Sequence, residues 1–139
     1  MRSFKFRIYD KVRKEWLHKG IDLFGEIILF GMHTVRPDGS NVSLSDLNNL
    51  VAMQYTGLKD KDGIDIYEGD LIESKSHSPA IMLVEFIEGG FAAKWGVDYP
   101  IDINHFYPSS GCLIKVIGNI FDDRHLMNDN LKKHALYKI

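Results

Sequence analysis

Met53-Gln54-Tyr55-Thr56-Gly57-Leu58-Lys59-Asp60-Lys61-Asp62-Gly63-Ile64-Asp65-Ile66-Tyr67-Glu68-Gly69-Asp70-Leu71-Ile72 is the stretch on which the fold turns. Two apolar runs, Met53 to Leu58 and Ile64 to Tyr67, flank a charged loop that closes on Asp62-Gly63, and such a pair marks a hairpin between antiparallel strands. Gly69 supplies a positive backbone angle at the next turn, and Asp70 offers a carboxylate to backbone N–H groups where another strand begins. The polar residues of the stretch therefore read first as turn makers.

Downstream, strand-like runs follow at Leu71 to Ser74, Ile81 to Ile87, Phe91 to Trp95 and Leu113 to Phe121. Glu88-Gly89-Gly90 breaks the second from the third and predicts another hairpin, with Phe91, Ala93 and Trp95 on one face. Asp98 to Ser110 reads as an irregular excursion with a short strand over Ile103 to Tyr107, and Asp122 to Asn130 as a single helical turn. Upstream, Leu44, Leu47, Leu50 and Val51 fall on one side of a short helix over Ser43 to Leu50, capped by Ser43 or Ser45. Pro37-Asp38-Gly39-Ser40 sets a turn, and Ile21 to Val35 reads as extended because Gly25 and Gly31 disfavour one continuous helix. At the start, Phe4, Phe6 and Ile8 alternate with Lys5, Arg7 and Tyr9, the period of a strand with one buried face, and Asp10 to Glu15 turns the chain back toward Trp16 and Leu17. Short strands joined by glycine turns give a mainly β fold with some α, a small barrel or sandwich.

The 139 residues are 45% apolar and 26% charged with a net charge of −2, which suits one soluble globular domain over residues 1–139. A soft internal boundary falls near residue 48, separating an N-terminal hairpin region with one short helix (1–48) from the remainder (49–139). Charges interleave the first residues where a signal peptide needs an apolar run, and the most apolar stretch, Ile21 to Met32, is too short to span a bilayer. A cytoplasmic protein with no membrane partner is the expectation, so the Asn41-Val42-Ser43 glycosylation triplet stays idle. Cys112 is the single cysteine and makes no intrachain bridge.

Met53 to Ile72 closely resembles the signature of the YopX-like family, small proteins of phages and prophages. The opening Lys5-Phe6-Arg7 followed by Asp10, then Val84-Glu85-Phe86, then Val116-Ile117-Gly118-Asn119-Ile120-Phe121 extend the resemblance toward both termini. Leu17 to Leu50 and Trp95 to Cys112 match no motif of it. The resemblance implies an SH3-like barrel in the second half, a phage or prophage origin and no established biochemical activity. It also marks Tyr55, Gly57, Asp62, Gly63, Tyr67, Gly69, Asp70, Gly118 and Asn119 as a structural signature.

Chemistry finds little purchase. Asp60, Asp62, Asp65, Glu68 and Asp70 are dense enough to raise a metal-dependent hydrolase, yet an EF-hand loop starting at Asp60 meets Ile64 and Leu71 where it needs an Asp or Asn and a Glu. His18, His33, His77, His105, His125 and His134 lack the spacing of a zinc site and read mostly as surface residues. Cys112 heads an apolar strand, where a buried inert thiol is the common case. No phosphate-cradling glycine string occurs, and no cofactor is expected.

Charge is unevenly spread. Residues 1–20 carry seven Lys or Arg against two acids, net +5, and residues 60–102 carry ten acids against three bases, net −7. Lys5, Arg7, Lys11, Arg13 and Lys14 form a basic ridge if the first strand presents them outward, with Tyr9 or Trp16 available for stacking on bases. The ridge serves nucleic-acid binding or, as the slightly favoured reading, docking onto the acidic part of a second copy. The sequence thus predicts a non-enzymatic binding or assembly module acting as a homo-oligomer. Nucleic-acid binding through the hairpin and metal-dependent hydrolysis are the alternatives, and a further protein partner is unspecified.

Overall fold

The structure, a computed structural model, describes residues 5–22, 38–41, 43–74, 81–94 and 100–135. The chain divides into two compact units, Met1–Gly57 and Leu58–Ile139. Of the extended run expected over 21–35, all beyond Asp22 lies outside the described residues, as do Phe4, His33, His77 and Trp95.

In the first unit β1 (Lys5–Asp10) is flanked by β2 (Glu15–Asp22) and by the start of β3 (Leu50–Lys59). Both pairings are antiparallel, with Tyr9 opposite Trp16 in one and Arg7 opposite Met53 in the other. The β1–β2 ladder slips between Phe6 and Ile8 and again between Ile8 and Tyr9. Such bulges re-aim side chains, and the simple alternation expected of β1 is not kept: Arg7, Ile8, Tyr9 and Asp10 are all buried. The turn after β1 closes on Asp10, whose Oδ1 accepts hydrogen bonds from the N–H groups of Val12 and Arg13 at 2.9 Å each. The short helix before β3 is a 3-10 helix over Leu44–Asn49. Asp46 starts it by accepting a hydrogen bond from Ser43 N–H at 3.1 Å, the reach-back half of a capping box.

The second unit carries β4 (Asp65–Tyr67), β5 (Asp70–Ser74), β6 (Ile81–Ile87), β7 (Gly90–Lys94), β8 (Ile101–Asp102), β9 (Ile114–Asn119) and the helix α1 (Asp129–Ala135). Five of the strands form an antiparallel sheet in the order β8-β7-β6-β5-β9. Side chains alternate through this sheet, so each face has its own core. Ile72, Met82, Val84, Phe91, Ala93 and Ile114 gather with Ile66, Ile103 and Phe106 in one cluster. Leu71 and Leu83 gather with Ile120, Met127, Leu131 and Ala135 in the other, so α1 contributes Leu131 and Ala135. The β6–β7 hairpin turns on Glu88 and Gly89, at φ 50° and 82°, with Ile87 opposite Gly90, which is the primed turn that matches strand twist.

The fold is mainly β, as the sequence implied, and besides the alternation of β1 a second expectation is overturned. Ile103 to Tyr107 is no strand: a 3-10 helix covers Ile103–Phe106. Asp102 caps it by accepting from Asn104 N–H at 2.9 Å, and three-residue periodicity sends both Ile103 and Phe106 inward. The expected helical turn after Asp122 comes in two pieces, a 3-10 helix at Arg124–Leu126 and then α1, where Asn128 Oδ1 accepts from Leu131 N–H at 2.9 Å. Among the described residues no helix is long and apolar enough to cross a membrane.

Candidate functional site

The acidic signature is a scaffold made of side-chain-to-backbone bonds. Asp60 Oδ1 accepts from the N–H groups of Asp62 (2.8 Å) and Ile64 (2.9 Å), and its Oδ2 accepts from Val116 N–H on β9 at 2.9 Å. One carboxylate, 5% exposed, thus closes its own loop and ties that loop to a strand 56 residues away. Burial by itself would raise its pKa. The three amide donors, with Lys115 acting through its charge, outweigh that and hold the group below its ordinary 3.8. Backbone bonds run alongside: Asp60 N–H donates to the Ile64 carbonyl at 2.8 Å and Lys61 N–H to the Ile114 carbonyl at 3.1 Å.

The remaining carboxylates have separate tasks. Asp70, also buried, accepts from Tyr67 N–H at 2.8 Å, the role expected of it. Asp65 pairs with Lys59 at 2.5 Å, Asp62 is exposed at the loop tip, and Glu68 is half-buried in the turn before β5. They do not converge, and among the described residues no group of three or more His, Cys, Asp or Glu is placed to hold a metal ion.

The signature glycines explain themselves in the same terms. Gly57, Gly63 and Gly69 all have φ between 82° and 85°. Gly69 is the telling one, because its N–H donates to the Val84 carbonyl at 2.8 Å while its carbonyl accepts from Ile120 N–H at 3.0 Å; a side chain would strain a residue bonded on both sides. Gly118 is needed for space: a Cβ there would lie 2.5 Å from Asp123 Oδ2, the oxygen that accepts from Asn119 N–H at 3.0 Å. Asn119 completes the corner by accepting from the N–H groups of Phe121 and Asp122, at 2.9 Å each. Tyr55 and Tyr67 are buried.

The basic ridge is only partly formed. Arg7 is 8% exposed, with its guanidinium 5.1 Å from the Trp16 ring centroid and 3.9 Å from Met53 Sδ. Lys5 sits half-buried with its ammonium 5.0 Å from the centre of the Tyr55 ring. Tyr9 and Trp16, the rings expected to be available for stacking, meet edge to face at 5.0 Å, and Tyr9 is buried. A delocalised guanidinium tolerates burial against a ring, which is why Arg7 stands where the alternation placed an outward cation. Arg13 and Lys14 remain exposed at the turn, Arg13 within 3.4 Å of Asp38, and Lys11 is half-buried.

One cluster escaped the sequence reading. His134 Nε2 on α1 lies 2.6 Å from Glu85 Oε2 and 3.2 Å from Lys94 Nζ, and both partners are buried in the sheet. Glu85 sits on β6 and Lys94 on β7, each on the face that α1 covers, and only the tertiary fold brings the three together. A catalytic relay places the orienting carboxylate and the nucleophile on opposite imidazole nitrogens. Here both partners meet the same one, so the trio fastens α1 to the sheet. His105 and His125 are exposed, as expected.

Strands, turns and acidic clamps of this kind define a small two-unit β protein with a built framework and no assembled reaction centre among the described residues. The chain belongs to the YopX family, whose model, described as YopX protein, matches residues 5–128. Among solved structures it is similar to protein EF1440 from Enterococcus faecalis, at 25% identity and a TM-score of 0.58, over 90% of this chain and 98% of that one. Protein yopX from Bacillus subtilis is similar at 18% identity and a TM-score of 0.48, over 89% and 98% of the two chains. No curated protein sequence matches. Neither structure's name states an activity.

Proposed function

We propose that the chain is a non-enzymatic binding and assembly protein of phage or prophage origin, acting in the cytoplasm as a homo-oligomer, with an SH3-like arrangement of its five-stranded sheet. The observation that carries the reading is how the signature carboxylates are spent. Asp60 and Asp70 are buried acceptors for backbone N–H groups and Asp65 faces Lys59, so work on other molecules falls to the exposed surface. The first hairpin presents Val12, 67% exposed, among Lys11, Arg13 and Lys14, and the second unit exposes Asp62, Glu88 and Asp102 as countercharges for another copy. Light scattering tests this at low and high salt, on the wild-type chain and on a variant with Lys11, Arg13 and Lys14 changed to Glu. The expected result is an assembly whose mass falls with salt and with charge reversal. A monomer indifferent to both would overturn the homo-oligomer.

A further inference from the structure

Along the outer side of β9 the backbone is already engaged. The Ile114 carbonyl accepts from Lys61 N–H, Val116 N–H donates to Asp60 and Asn119 N–H donates to Asp123, at 3.1, 2.9 and 3.0 Å. A partner adding itself as another strand finds these donors and acceptors taken, so recognition at this edge falls to side chains. Beside it lies a groove of about 400 Å³, lined by Lys61, Glu73, Cys112, Leu113, Lys115 and Ile117, all of the second unit. That volume is within the roughly 300–1,000 Å³ of small-molecule sites.

Its chemistry has a sign. Leu113, exposed to 39%, and Ile117 give an apolar floor. Glu73 stands opposite Lys115 in the β5–β9 register, and the lining as a whole carries two cations, Lys61 and Lys115, against that one carboxylate. Asp60, which also feels Lys115, is buried beneath three amides and does not line the groove. The lining is thus net positive by one charge, and Lys61 is its cation on the exposed loop. The basic tip of the first hairpin is a poor occupant for a groove of that sign.

We propose that this groove binds a small amphipathic monoanion, its aliphatic body on Leu113 and Ile117 and its carboxylate at Lys61. The inference rests on reading the chain as a binding protein and is independent of its self-association. Octanoate is the probe, with octylammonium as the matched cation, followed through the methyl NMR signals of Leu113 and Ile117. Octanoate should shift both signals in a saturable way, and octylammonium should bind more weakly by about twofold to fivefold, the scale of one exposed ion pair. Lys61→Glu, at an exposed loop position, should weaken octanoate by a similar factor and leave the protein's melting unchanged. Equal binding of the two probes, an unaltered octanoate affinity in Lys61→Glu, or no saturable shift at these methyls would each overturn the proposal. Those failures leave the light-scattering outcome standing, so the two readings fall separately.

Discussion

Arg7 in the first unit and Asp60 in the second are both buried charges, and the fold disposes of them differently. Arg7 rests on side chains, the Trp16 ring and the Met53 sulfur. Asp60 rests on backbone, with donors from Asp62, Ile64 and Val116. A guanidinium spreads its charge over a plane and is weakly hydrated, so a ring face is adequate company. A carboxylate is compact and needs aimed donors, and amides held in place by the strands provide them. The consequence is mechanical: the arginine is a packing element that neighbouring side chains can adjust to, whereas the aspartate is a cross-link between distant stretches of chain.

The contrast is broken most severely at Asp60. Asp60→Ala strands three amides, and with an unsatisfied buried donor worth about 1–3 kcal/mol the expected loss is about 3 kcal/mol in urea unfolding. The pH dependence follows from the same bonds. Because the folded pKa is depressed, the stabilisation is complete above 3.8 and is lost as pH falls through the lower folded value. The stability gap between wild type and Asp60→Ala, measured in an acid titration, should therefore narrow only below that point. A gap that stays constant to the lowest pH would mean the carboxylate's charge is irrelevant.

Gly118→Ala comes next, at about 2 kcal/mol, since the new methyl overlaps Asp123 and a crowded core typically loses about 1–3 kcal/mol. Combining it with Asp123→Ala sharpens the point, because the double variant should be little worse than Asp123→Ala alone; full additivity would place the crowding elsewhere. Arg7→Lys should cost only about 1 kcal/mol, the range of a cation over a ring, and a loss matching that of Asp60→Ala would erase the distinction between the two charges. Smallest of all, Glu88→Asn relaxes a left-handed residue in the primed turn and should raise stability by about 0.5 kcal/mol, seen as a higher melting temperature.

How far the sequence reveals such features depends on their range. The hairpin at Asp62-Gly63, the turn at Glu88-Gly89 and the clamp by Asp70 are local, and their residue types announce them. Half of Asp60 is local too: its bonds to Asp62 and Ile64 follow the ordinary pattern of an aspartate opening a loop. Its bond to Val116 leaves no trace in the chain, because the distance is bridged only after the sheet has formed. Arg7 misleads for the reverse reason, since a charged residue in an alternating strand looks outward until the ring beneath it is known. The trio Glu85, Lys94 and His134 is illegible for the same cause as Val116, being assembled from β6, β7 and α1.

α1 has seven residues, well under the roughly 12–15 at which an isolated helix begins to persist in water. Its helicity is therefore lent to it by the sheet, through Leu131, Ala135 and the His134–Glu85 contact. That makes the C-terminal turn a built-in gauge of the face it covers. Amide exchange at residues 131–135 should quicken before any strand loosens, and it would report a disturbance of Leu71 or Leu83 without a label being introduced.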